Sequence, residues 1–210
     1  KYVEKIKNNL IDIKDDGSFK LNLSFFKFHR GFRMTSRKFH KLFDCPPRDK
    51  ESELKQFHMD LAASIQLVTE EIVIKLAKSI REETGLDNIC LAGGVALNCV
   101  ANGKLLRRKI FKNIWIQPAS GDAGSSLGAA QIVWHEYLNK PRKINPDDQM
   151  KGTYLGCIFS NDEIIKYLEK INAPYKKLQD DKLFKLIAEL LDKGNVIGWF
   201  NDAMEFGPRA

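Results

Sequence analysis

One pattern constrains this chain more than any other, and it occurs twice: a short apolar run, a glycine-bearing loop, then a helix-forming segment. The first copy is LAGGVALN, Leu91 to Asn98. Ile89 to Ala92 read as a short buried strand. Gly93 and Gly94 turn the backbone, and a helix is expected to follow with Asn98 early in its first turns. The second copy is IWIQPASGDAGSSLGAA. Ile114 to Gln117 form its strand, Pro118 stops it, and Asp122 stands between Gly121 and Gly124 ahead of a helix over about Ser125 to Leu138. The two loops bracket one strand–helix–strand unit. Both are therefore expected at the same carboxyl edge of a parallel sheet, where ligands bind in open α/β folds.

The chemistry of that edge follows from the residue types. Paired glycines carry no side chain to block a phosphate from main-chain N–H groups, and the positive end of a helix dipole faces the same way. The second loop offers a carboxylate. N–H donors beside a carboxylate suit a nucleotide phosphate with its metal ion. Two plainer readings stay open at this point. Gly93-Gly94 also suits a tight turn with no ligand. Asp122 also suits an N-cap or acidic first-turn position, worth about 0.3 to 2 kcal/mol.

The remaining chain supports an ordinary folded protein of one domain or a domain plus part of another. It has 210 residues, 43% hydrophobic and 29% charged, with a net charge of +7. A basic balance is compatible with nucleic acid or with an anionic substrate. No dense basic run stands out. The short cluster Arg107, Arg108, Lys109 reads as a solvated helix face. Cys45, Cys90, Cys99 and Cys157 show no zinc spacing; Cys90, in a buried strand, and Cys99, on a helix, are expected as small core residues in a reduced compartment. No leader and no membrane-length apolar run is seen, so a cytoplasmic location without a membrane partner is expected. His29, His40 and His58 share no metal-ligand spacing and read as packing or surface histidines. A chain that starts at Lys1 without methionine and stops inside EFGPRA is expected to be part of a longer protein.

Local patterns place the other elements. Val3, Ile6, Leu10 and Ile13 fit a helix over Lys1 to Ile13. Asp16-Gly17 marks a hairpin-like turn with Phe19, Leu21 and Leu23 alternating after it. Met34 to Phe43 reads as a short helix capped by Thr35 or Ser36. Phe57 to Thr84 reads as a long helix. Its stripe of Leu61, Ile65, Val68, Ile72, Leu76 and Ile80 is expected to pack on the sheet, with a partner-binding face as the alternative, and Gly85 stops it. Pro141 to Asp148 reads as a linker. Ser160 and Glu163 form a capping box, Asp181 to Lys193 a second amphipathic helix, and Val196 to Phe200 a buried strand. Arg209, in the turn beyond that strand, suits bidentate contact with phosphate or carboxylate, or simple exposure.

Four blocks now carry a resemblance: LAGGVALNCVANGKL, IWIQPASGDAGSSLGAA, YLGCIFS and GWFNDAMEFGPRA, in this order. Together they resemble the O-carbamoyltransferases of the nodulation-protein and antibiotic-tailoring type. The resemblance runs from about Leu54 to Ala210, and MTSRKFHKLFDCPPR extends it more weakly toward the N-terminus.

That resemblance implies an α/β fold: half of a ribonuclease H-like, actin-like ATPase domain, similar to the tRNA threonylcarbamoyl transferases, over residues 1–148. The start of a YrdC-like domain follows over residues 149–210. It implies transfer of a carbamoyl group from carbamoyl phosphate, through a carbamoyl-adenylate made with ATP, to a hydroxyl of a small acceptor. Gly93, Gly94, Val95 and Asn98 match the family's nucleotide loop, Asp122 its metal-ligand aspartate, and Arg209 lies in the segment associated with the carbamoyl phosphate site. The implied cofactors are ATP and a divalent metal (iron, magnesium or manganese). The implied partners are carbamoyl phosphate and the acceptor, without nucleic acid or membrane, and a homodimer is an open alternative. The family's H-x-x-x-H metal ligands are not in this sequence, so the chain alone is expected to be inactive. Two rival readings are another actin-like ATPase, such as a sugar kinase, and a non-enzymatic nucleotide- or tRNA-binding module.

Overall fold

The computed structural model describes residues 1–207. They form two compact units, Lys1–Gly121 and the residues from Asp122 onward.

The first unit opens with helix α1, Val3–Asn9, and a hairpin of strands β1, Ile11–Ile13, and β2, Phe19–Leu21. The strands are antiparallel, with Ile11 opposite Leu21 and Ile13 opposite Phe19. The helix was expected to run to Ile13. It stops at Leu10 because the β-branched pair Ile11 and Ile13 finds a ladder partner across the Asp16-Gly17 turn. Gly17 has φ +89°, and a Cβ there would sit 2.5 Å from the Leu76 main-chain nitrogen. Only glycine lets the hairpin press this closely on the next long helix. A bridge between Phe26 and Thr35 then leads to α2, Arg37–Phe43, whose first turn is capped by the Ser36 hydroxyl accepting the Phe39 N–H at 3.4 Å.

Helix α3, Gln56–Thr84, is the spine of this unit, and Gly85 ends it in the left-handed region at φ +66°. Val68 and Ile72 are buried with Ile6, Leu10, Ile11, Phe25 and Phe43. Further along, Ala77 is buried with Leu105 and Phe111. The expected single stripe is therefore corrected: Ile65 and Ile80 are exposed. The helix divides its apolar surface between two clusters, because α1 packs on one part of it and the crossover helix on another.

Strand β3, Asn88–Leu91, crossover helix α4, Cys99–Arg107, and strand β4, Asn113–Ile116, form the βαβ unit. The strands pair in parallel, Asn88 with Asn113 through Leu91 with Ile116. Alternation sets their faces: Ile89, Leu91 and Ile114 pack toward Ala77 and Leu105, while Cys90 and Trp115 are exposed on the other face. The expectation that Cys90 and Cys99 are core residues is overturned; both thiols are free and exposed.

In the second unit α5, Asp122–Ile132, continues into one wider turn, Val133–Tyr137. Two amphipathic helices follow, α6, Asn161–Lys170, and α7, Asp180–Asp192. The capping box is as expected: Ser160 Oγ accepts the Glu163 N–H at 3.3 Å, and Glu163 Oε2 accepts the Ser160 N–H at 2.8 Å. The expected strand at Val196 to Phe200 is not formed, and Val196 is 98% exposed. A strand needs a ladder, and among the described residues none is offered to it. The nearby pairing goes elsewhere: Gly156 N–H donates to Met204 O and Met204 N–H to Cys157 O, both at 2.9 Å. No helix among the described residues is long and apolar enough to cross a membrane.

Candidate functional site

Parallel pairing delivers the chain to one edge twice. The ladder extends one residue past β4, where the Gln117 N–H donates to Leu91 O at 3.1 Å. The two loops then clasp each other. Gly93 N–H donates to Ser120 O at 2.8 Å, and the buried Ser120 hydroxyl donates back to Gly93 O at 2.9 Å. Gly121 comes so near the first loop that a Cβ on it would lie 3.9 Å from Gly94 Cα. The convergence of the two glycine-bearing loops is thus a feature of the first unit.

The glycines of the first loop have different reasons for being glycine. Gly93 adopts φ +95°, which a side chain resists. Gly94 does not, and a Cβ on it would meet nothing within 4 Å. Neither backbone angle nor packing among the described residues requires glycine at 94, and its Cα faces open space. The residues after it form a single tight turn, Gly94–Leu97, and Ala96 N–H donates to Gly93 O at 3.0 Å. The N–H groups of Gly94 and Val95 head that turn and have no acceptor within it.

Asn98 was expected in the first turns of a helix. It is instead the N-cap of α4, its Oδ1 accepting the Ala101 N–H at 3.1 Å. The same side chain is locked from α3: its amide donates to Gln66 Oε1 at 2.8 Å, and Gln66 Nε2 donates to Asn98 Oδ1 at 3.1 Å. Gln66 is held in turn by Glu70 Oε1 at 2.9 Å, and the other Glu70 oxygen accepts from Lys104 Nζ on α4. Glu70 is only 5% exposed. Burial pushes its carboxyl up, but the hydrogen bonds from Lys104 and Gln66, with the charges of Lys104 and Arg107, hold it below the ordinary value. One amide hydrogen of Asn98 is left for another acceptor. Beside this edge the Gln117 Nε2 is buried with no hydrogen-bond partner among the described residues.

Asp122 is exposed, opens α5, and stands one peptide bond beyond Gly121, as the first residue of the second unit. Among the described residues no group of three His, Cys, Asp or Glu side chains is arranged to hold a metal. A lone carboxylate does not make a metal site, so the residues here do not fit that cofactor by themselves. His40 is engaged by Thr35 Oγ1 at 3.1 Å and Cys45 O at 3.2 Å, and His58 Nδ1 accepts the Lys55 N–H, which are packing and capping roles. Arg209 lies outside the described residues.

Sequence reading missed Ser120, Gln66 and Glu70. Gln66 and Glu70 are four apart on a long helix, a spacing that looks like a solvated face; only the position of α4 turns it into a buried one.

The family model described as "Carbamoyltransferase N-terminus" matches residues 1–131. An uncharacterized protein of Synechocystis sp. is 54% identical over 212 residues, covering 100% of this chain and 34% of that protein. The nodulation protein NolO of Bradyrhizobium diazoefficiens is 38% identical over 164 residues, 78% of this chain and 29% of that protein. The nodulation protein NolNO of Sinorhizobium fredii is likewise 38% identical over 164 residues, with 24% of its length covered. The chain thus spans about a quarter to a third of the length of these relatives.

Proposed function

Since this chain belongs to the carbamoyltransferase family, we propose that it is the part of such an enzyme that binds a nucleotide at the clasped loops. The reaction is ATP-dependent transfer of a carbamoyl group from carbamoyl phosphate, through a carbamoyl-adenylate, to a hydroxyl of a small acceptor. The single observation that supports this reading best is the reciprocal Gly93–Ser120 hydrogen bonding, which holds an open glycine loop at the carboxyl edge of a parallel strand pair.

On this reading Gly93 and Gly94 admit phosphate oxygens, and the Gly94 and Val95 N–H groups donate to them. Preorganised donors of this kind stabilise charge that develops as a carbamate oxygen, freed when water releases phosphate from carbamoyl phosphate, attacks the α-phosphorus of ATP and pyrophosphate leaves, without having to reorient at that moment. Asn98 fixes the turn's geometry through α3 and α4. Asp122 would be the one ligand this chain contributes toward a divalent ion, and the set is incomplete among the described residues. In the fold expected from the family, residues 1–148 complete an actin-like domain and residues 149–210, with Arg209, open a YrdC-like one that takes carbamoyl phosphate.

The test is product analysis on the full-length protein. With ATP, carbamoyl phosphate and a hydroxyl acceptor, AMP is the expected nucleotide product, and Gly94→Val is expected to lower the rate about tenfold or more by filling the phosphate approach. ADP as the product would reject the proposal in favour of a kinase-type reaction. The 210-residue chain alone is expected to release no AMP.

A further inference from the structure

The positive charge of this chain is concentrated in one place. Residues 27–50 hold eight Lys or Arg and two acids, a net of +6 against +7 for all 210 residues. In the fold six of these eight side chains converge. Lys27, Arg33, Arg37, Lys38, Arg48 and Lys50 line one open concavity of about 1070 Å³, and no Asp or Glu lines it.

A solvated basic face is the ordinary alternative, and the convergence of six cations on one hollow without a lining acid argues against it. Six ion pairs occur among the described residues, all in the first unit, and none involves a residue between 27 and 50. No ion pair among the described residues therefore neutralises the cations of this concavity. Converging like charges repel, so the arrangement costs stability unless an anion enters.

The backbone beneath the charges is built rather than loose. Thr35 bridges Phe26, the buried Ser36 hydroxyl donates to Ser24 O at 3.0 Å, and Phe43 and Phe25 anchor the segment in the core. Lys38 is held over the Phe25 ring at 4.4 Å and donates to Ser24 Oγ at 3.0 Å. His40 Nδ1 faces Cys45 O, so that nitrogen donates and Nε2 accepts from the Thr35 hydroxyl.

We propose that this concavity is a binding site for an organic molecule carrying two or more phosphate groups, separate from the glycine-loop edge. The Arg33 and Arg37 guanidinium groups offer forked donors that match phosphate oxygens, Arg48 adds its charge while donating to Ser52 O at 2.6 Å, and three lysines add point charges around them. Six cations are more than a single monovalent anion can use. Phe32 and Met34, both on the lining and exposed, give the organic part of the ligand an apolar contact.

The test uses the full-length protein and inorganic pyrophosphate, with inorganic phosphate as the weaker comparator, by calorimetry at low and moderate salt. Pyrophosphate is expected to bind more tightly than phosphate and to weaken as salt rises. The double variant Arg33→Gln/Arg37→Gln is expected to lose about tenfold or more in pyrophosphate affinity, on the order of one charge-assisted contact. A second pair at exposed positions, Lys27→Gln/Lys50→Gln, is expected to weaken it too, so a folding defect in one variant does not decide the matter. In Gly94→Val, with the glycine loop filled, pyrophosphate binding that depends on both basic pairs is expected to persist, which separates the site from the proposed nucleotide loop. Equal pyrophosphate affinity in wild type and both basic variants would overturn the proposal. So would loss of binding in Gly94→Val alone, or salt-dependent binding of a transfer RNA without any binding of pyrophosphate.

Discussion

The two units of this chain contain helices of comparable quality and do very different things with them. Every buried apolar side chain among the described residues lies between Ile6 and Ala119. In the second unit α5, α6 and α7 bury none, although α6 and α7 have well-segregated apolar faces and Phe184 and Trp199 are half exposed. The difference is not one of composition or of local helix signals. The first unit has a long spine, α3, that is contacted on separate faces by α1 and α4. Among the described residues the second has no such element. Helix formation is a local matter of caps and spacing, whereas stability comes from a second apolar surface arriving from elsewhere in the chain.

The contrast can be broken most severely at Gly17. Gly17→Val places a branched side chain against the α3 backbone at positive φ, and a loss of about 3 kcal/mol or more in urea unfolding of the first unit is expected. Amide exchange in α6 and α7 should not change; a matching change there would mean that the units are not independent. Next is the buried carboxylate. Lys104→Met strands Glu70 inside the unit and is expected to cost about 3 kcal/mol, whereas Glu70→Gln is expected to cost less because the partly exposed lysine regains water. The reverse ranking would sink this account of the α3–α4 contact.

Acid sharpens the same point. The Glu70 carboxyl is held below its ordinary value of 4.5, so its ionised form contributes stability above that pH. That contribution is lost as pH falls from 4.5 through the lowered folded value. Urea titrations at descending pH are expected to show a smaller acid-dependent loss in Glu70→Gln than in wild type. In the second unit Ser160→Ala removes one half of the capping box, at a cost of about 1 kcal/mol. This should appear as faster exchange of the first α6 amides, with α3 unaffected. The smallest effect is kinetic: Cys90, Cys99 and Cys157 are exposed and are expected to react with a thiol reagent before the half-buried Cys45.

Much of this architecture was legible beforehand. Gly85 and the Ser160–Glu163 box bounded their helices correctly because capping depends on a few adjacent atoms. The parallel pairing of β3 with β4 was legible too, since a strand–helix–strand pattern admits essentially one handed connection. Val196 to Phe200 failed for the complementary reason: an apolar run has strand character, but its strand needs a neighbour that no local rule supplies. Cys90 was misjudged because alternation says which residues share a face and not which face is covered.

The candidate site divides along the same line. The order of residues alone determined that Gly93, Gly94 and Gly121 sit in loops at strand ends, because backbone freedom belongs to the residue itself. Only the tertiary structure decided that Ser120 clasps Gly93, that Gln66 and Glu70 hold Asn98 from another helix, and that cations spread over residues 27–50 meet around one hollow. Those contacts join positions distant in the chain, and packing geometry, which no single segment contains, selects them.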